Sequence, residues 1–135
     1  MSFKVIIIDD EPLAINILKN YVEQIKELEL VQTFTNAIDA STFLQRNEVD
    51  IVFLDINMPI MTGLDLLGSV NSKAMVVMTT AHEDYALKSF ELEAIDYLVK
   101  PIPFHRFLKT VNRIINLKEG VTKNEVHTIN DNPSI

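Results

Sequence analysis

Short apolar runs recur along this chain, and each stops at polar residues. Val5-Ile6-Ile7-Ile8 runs into Asp9, Asp10 and Glu11, and Ile51-Val52-Phe53-Leu54 into Asp55. Met75-Val76-Val77-Met78 ends in Thr79 and Thr80, and Tyr97-Leu98-Val99 in Lys100-Pro101. Consecutive apolar residues without alternation mark strands buried on both faces, as in parallel sheets. The pattern predicts strands over 4–8, 30–34, 49–54, 74–78 and 95–99, the second being shorter and nearer an edge. Between them the apolar period changes to that of helices. Glu11-Pro12 opens one whose stripe is Leu13, Ile17, Leu18, Tyr21, Val22 and Ile25, with proline at an early position where its missing N–H costs little. Asn36 is the expected N-cap of a second, running through Ala37, Ala40, Phe43 and Leu44 to Arg46. Leu64, Leu66 and Leu67 suggest a short helix after Gly63, and another is expected over 84–92. Phe104, Phe107, Leu108, Val111, Ile114, Ile115 and Leu117 mark a last one, stopped by Gly120.

Strand and helix alternate five times, which predicts an α/β fold: a doubly wound parallel sheet with helices on both faces. Its expected extent is 1–119, with 120–135 a linker or flexible C-terminal tail. Open parallel sheets bind ligands just outside the carboxyl ends of their strands. Asp55 stands at such an end, followed by the loop residues Pro59 and Gly63.

The 135 residues carry a net charge of −7, which argues against sequence-independent nucleic-acid binding by this chain. There is no cysteine, so disulfides and thiolate metal sites are excluded. Three glycines are too few for a glycine-rich nucleotide loop. No apolar run approaches the ~20 residues of a membrane span, so no membrane partner is expected. The start of the chain lacks signal-peptide anatomy, which makes a cytoplasmic location the expectation.

The polar strand ends suggest one pocket. Asp9, Asp10 and Asp55 would meet at adjacent ends, and packed carboxylates call for a cation. An oxygen-only set selects a hard ion such as Mg²⁺. Asp10, Asp55 and the main-chain carbonyl of Asn57 would hold it, with Asp9 linked through water. Read alone, Asp9-Asp10-Glu11 also suits a cluster favouring a helix N-terminus. Lys100 would pair with Asp55 and later with a phosphoryl oxygen. Strand alternation lets only one of Thr79 and Thr80 face Asp55, and the Ala81 N–H would add a second donor. An ionised Asp55 is a competent nucleophile at phosphorus, with Mg²⁺ and Lys100 neutralising charge. His82, His105 and His127 form no metal-ligand spacing.

Asp9-Asp10, Asp55 with Asn57-Met58-Pro59 and Gly63, Thr80-Ala81, and Lys100-Pro101 match, in order and spacing over residues 3–118, the receiver domains of two-component response regulators. The stretch 79–86, Phe90-Glu91 and 96–102 resembles the LytR/AlgR (LytTR) subgroup. This resemblance implies a flavodoxin-like sheet of order 2-1-3-4-5. It implies that Asp55 takes its phosphoryl group from a phosphohistidine on a sensor histidine kinase. It makes Thr80 the switch hydroxyl and Tyr97 the aromatic that responds, and it assigns tuning of dephosphorylation to Asn57 and His82. It implies an output surface on the fourth helix, fifth strand and fifth helix, and a phosphorylation-dependent homodimer. Members of the subgroup usually carry a LytTR DNA-binding domain after the receiver. DNA contact is therefore expected only through an output domain absent from this sequence. Such a domain is a phosphoprotein that does not act as a turnover enzyme. Three other readings compete. A degenerate receiver would be a constitutive interaction module, which the set Asp10, Asp55, Thr80 and Lys100 opposes. A haloacid-dehalogenase-type phosphatase would want a second Asp where Asn57 stands. A flavin-binding flavodoxin-like protein would need a phosphate-cradling Ser/Thr/Gly loop after the first strand, and none follows it here.

Overall fold

A computed structural model describes residues 2–58, 65–66, 73–82 and 94–119. They divide into two units, Met1–Ile102 and Pro103–Ile135. The first contains β1 (Phe3–Ile8), α1 (Pro12–Glu23), β2 (Leu28–Phe34), α2 (Ala37–Arg46), β3 (Ile51–Asp55), β4 (Met75–Thr80) and β5 (Asp96–Val99). The strands form one sheet of order β2-β1-β3-β4-β5, and every pairing is parallel. The second unit contains α3 (Phe104–Lys118).

The apolar runs occupy the centre of the sheet. Val5, Ile6, Ile7, Ile8, Ile51 and Phe53 are fully buried. Register sorts their side chains. Ile6, Ile8, Val52, Leu54 and Met78 pack with Phe34 and with Ala37 and Ala40 of α2 in one apolar cluster. Val5, Ile7, Phe53 and Val77 alternate to the other face. Helix α1, packed on β1 and β2, buries Ile15, Leu18 and Val22. Asn36 caps α2 as expected, its Oδ1 accepting from the Asp39 N–H at 2.8 Å. Phe34 and Phe43 meet with ring centroids 5.2 Å apart.

Several expectations need correction. Of the stripe expected on α1, Leu18, Val22 and Ile25 are buried, but Leu13 and Ile17 are 77% and 43% exposed. Ile15 takes their place, because two apolar stripes share this helix and only one meets the sheet. Strand β2 lies at the edge but is not short. It starts at Leu28 and runs for seven residues, one more than β1, and Val31 is the extra residue where the register shifts. Its exposed Glu29 and Gln32 hide the strand from an apolar-run count. Strands β3 and β4 run further than their apolar residues, so Asp55, Thr79 and Thr80 belong to strands rather than loops.

Helix α3 buries Phe107, Thr110, Val111 and Ile114, while Leu117 is 43% exposed rather than part of the stripe. Thr110 fits a buried face because its Oγ1 accepts from Arg106 at 2.8 Å. Of the short helix after Gly63, Asp65 and Leu66 are described and helical, and Leu66 is buried. The expected helix at 84–92, the Gly120 stop, the tail at 121–135 and His127 lie outside the described residues. No helix among the described residues is long and apolar enough to cross a membrane.

Candidate functional site

The carboxyl ends of β1 and β3 are adjacent because Ile8 pairs with Leu54. That register brings Asp9 and Asp10 beside Asp55. One carboxylate oxygen from each lies within 4.8 Å of the others. Asp9 and Asp55 are 1% and 4% exposed, and Asp10 is open to solvent. Local backbone bonds fix the two buried acids. Asp9 Oδ1 accepts from the Glu11 N–H at 2.9 Å, and Asp55 Oδ1 from the Asn57 N–H at 3.1 Å.

Lys100 enters from β5. Its N–H donates to the Thr80 carbonyl at 2.7 Å, and the Lys100-Pro101 peptide bond is cis. The ammonium stands 2.8 Å from Asp9 Oδ2, 3.1 Å from Glu11 Oε1 and 3.6 Å from Asp55 Oδ2. Asp9 Oδ2 is buried and faces the ammonium as an ion pair without an aligned hydrogen bond. One cation thus faces three carboxylates, those of Asp9, Glu11 and Asp55, and the carboxylate of Asp10 stands beside two of them. The excess negative charge shows at Asp55, whose pKa is raised from 3.8 to about 7. Burial is the first cause and the charge on Asp9 the second, with Asp10 adding to both. Lys100 and the Asn57 N–H pull the other way. For Lys100, burial acts to lower the pKa. The close contact with Asp9, the charges of Asp55 and Asp9, and the bond to Glu11 outweigh it and raise the pKa on balance.

Three converging carboxylates, a raised acid and a buried oxygen without an aligned donor form an oxygen-only donor set short of positive charge. Such a set suits a hard divalent cation.

Thr80 and Thr79 sit differently. Register pairs Asp55 with Thr79, so alternation gives these two one face of the sheet and Thr80 the other. Both threonines are buried, and the Thr80 hydroxyl accepts from the His82 N–H at 2.9 Å. Ala81, His82 and Asn57 are exposed around the mouth of the site. Tyr97 pairs with Met78 and packs, half-buried, on the α2-side cluster. It therefore shares a face with Thr80 and stands across the sheet from Asp55.

Sequence reasoning left Glu11 without a part in the site, and the structure brings its carboxylate to Lys100 across 89 residues. The only signal was its place beside two other acids. It also missed a groove of about 400 Å³ that adjoins Lys100. Leu13, Ala14 and Ile17 of α1 line one side, with Pro101 and Ile102 on the other.

The comparisons agree with this geometry. Residues 5–112 match the response regulator receiver domain model. The transcriptional regulatory protein BtsR of Escherichia coli is 36% identical over 131 residues, which cover 96% of this chain and 54% of BtsR. The transcriptional regulatory protein YpdB of the same organism is 42% identical over 101 residues, 73% of this chain and 41% of YpdB. This chain thus spans about half the length of the curated relatives it matches. The crystal structure of the response regulatory domain of mrkE from Klebsiella pneumoniae superposes with a TM-score of 0.79 at 36% identity, over 86% of this chain and 98% of that one. A five-stranded sheet of order 2-1-3-4-5, acids clustered at its carboxyl edge, a lysine over them, and a family match across most of the length lead to one conclusion: the chain belongs to the response regulator receiver domains.

Proposed function

We propose that Asp55 is the phosphoacceptor of this two-component receiver domain and that a phosphohistidine on a sensor histidine kinase is the donor. One observation carries the reading. Asp55 ends β3 nearly buried, within ion-pair reach of Lys100 and of two further carboxylates. In the transfer, an Asp55 oxygen attacks phosphorus, the N–P bond of the phosphohistidine breaks, and the imidazole leaves with the electron pair. Mg²⁺ is the expected cation, held by Asp10, Asp55 and the Asn57 carbonyl, with Asp9 through water. It would keep Asp55 ionised and offset charge on the phosphoryl oxygens. Lys100 supplies the second positive charge, and Thr80, at the end of β4, turns from the opposite face to join the Ala81 N–H as a donor to the phosphoryl group. Receiver domains are signalling parts rather than turnover enzymes.

The output follows from added charge. A phosphoryl group brings up to two negative charges and strong acceptor oxygens. Thr80 and Lys100 turn toward it, and they are already linked through the Thr80 carbonyl. Tyr97, on the same face as Thr80, fills the space released. The altered surface favours a second copy of the chain, and the wider protein acts as a transcription regulator of LytR/AlgR type through a LytTR domain that contacts DNA. The kinship to BtsR and YpdB, both named as transcriptional regulatory proteins, supports that output. Asn57 and His82, exposed at the mouth, set how readily water reaches the acyl phosphate.

Intact mass after incubation with Mg²⁺ and acetyl phosphate tests the core of this reading. The wild-type chain gains one phosphoryl group and Asp55→Asn gains none. An equal adduct on both would mean another residue accepts. No adduct on the wild type, even with a cognate kinase, would favour a constitutive interaction module.

A further inference from the structure

Lys100 holds its ammonium over the acids, so whatever fixes the chain that carries it bears on the site. At one end the Lys100 N–H bonds to the Thr80 carbonyl. Beyond it come Pro101 and, past Ile102, Pro103, neither of which can donate from the main chain. Pro101 is exposed, and the groove of about 400 Å³ leaves its α1 side without close packing. Tyr21, on the third turn of α1, donates its hydroxyl to the Ile102 carbonyl at 2.7 Å. The bond joins residues 81 apart in sequence. It fixes the chain two residues past Lys100, where packing on the open side does not. The Lys100 segment is thus held between Thr80 on β4 and Tyr21 on α1.

We propose that Tyr21 is a positioning residue for Lys100. Its hydroxyl holds residues 100–102 so that the ammonium stays within reach of Asp55 and the incoming phosphoryl group. The proposal rests on Asp55 being the phosphoacceptor. A hydrogen bond of this kind is worth on the order of a fivefold change when it is needed only in the transition state. The bond ends on the Ile102 carbonyl and not on a carboxylate that would hold the cation, so its removal should leave cation affinity alone.

The test compares the full chain with Tyr21→Phe, which keeps the ring and removes the donor. The rate of phosphoryl uptake is followed by intact mass against acetyl phosphate and against Mg²⁺. The expected result is a maximal rate lowered about fivefold at saturating donor, with the half-saturating Mg²⁺ concentration and the circular dichroism unchanged. A variant that reacts at the wild-type rate would overturn the role of Tyr21 while leaving Asp55 as acceptor. Loss of rate together with weakened Mg²⁺ binding would mean that the whole site has shifted, which also overturns it. A Tyr21→Phe chain that does not fold would assign Tyr21 to folding rather than positioning. A wild-type chain that takes up nothing would refute the phosphoacceptor reading, and this role with it.

Discussion

Replacing Asp55 with asparagine should stabilise this domain, and by an amount that depends on pH. Folding carries Asp55 from a pKa of 3.8 to about 7, so between those values the folded state binds more protons than the unfolded one. Stability that the protonated form enjoys below pH 3.8 is therefore lost as pH rises toward 7. About two units of that shift lie above pH 5, equivalent to roughly 2.7 kcal/mol. Solvent reaches the site past the exposed Asp10 and screens these charges, so about half of that is the reasonable expectation. Without Mg²⁺, the stability gained by Asp55→Asn should then be larger at pH 8 than at pH 5 by about 1.4 kcal/mol. For a domain of this size the difference corresponds to about 5 °C in Tm. The assay is urea and thermal unfolding of both chains in chelator at the two pH values. Saturating Mg²⁺ should raise the wild-type midpoint at pH 8 more than that of the variant, since the ion supplies the charge that Asp55 lacks. A variant destabilised equally at both pH values would refute the reasoning. It would mean that Asp55 is stabilised by Lys100 more than it is repelled by Asp9.

Other outcomes follow from the same geometry. Lys100→Met should destabilise the metal-free domain by about 2–3 kcal/mol, because it leaves buried acids without their cation. Urea unfolding checks this, and Mg²⁺ should restore much of the loss. Asn36→Ala should cost about 1 kcal/mol through the lost cap on the Asp39 N–H, with no change in phosphoryl uptake by mass spectrometry. Thr80→Ala should keep uptake at Asp55 and lose phosphorylation-dependent self-association, read by light scattering. Unchanged association would break the proposed link from Thr80 to Tyr97, and the same loss in Thr79→Ala would shift the role to the register partner of Asp55.

Much of the site was legible because its acids stand where apolar runs stop. A carboxylate after Ile51-Val52-Phe53-Leu54 has no use in a buried strand, so Asp55 announced itself. Asp9 did the same after Val5-Ile6-Ile7-Ile8. What stayed hidden depends on contacts between distant residues. Leu13-Ile17-Tyr21 and Ile15-Leu18-Val22 both have helical spacing, and only the sheet selects the second as the buried stripe. The length of β2 was obscured by solvent-facing Glu29 and Gln32, which an edge strand tolerates. The Tyr21 bond to Ile102 and the Glu11 bond to Lys100 leave no local trace, since neither partner is unusual in its own neighbourhood. Thr79 and Thr80 illustrate a different limit. Alternation says that they differ, and only the register shows that Thr79 shares the face of Asp55 while Thr80 has to turn to reach it.

That register has a consequence for how insertions and deletions are tolerated. Asp55, Thr79 and Leu98 form one row across β3, β4 and β5, and Leu54, Met78 and Tyr97 form the next. The rows address opposite layers of the molecule, so the strands act as parallel wires whose destination is set by odd or even position. Adding one residue within β5 ahead of Tyr97 would leave an apolar strand that still pairs, yet it would exchange which layer each side chain addresses. The domain would keep its sheet and its acidic cluster while sending the message to the wrong side. These strands can therefore change length only in steps of two.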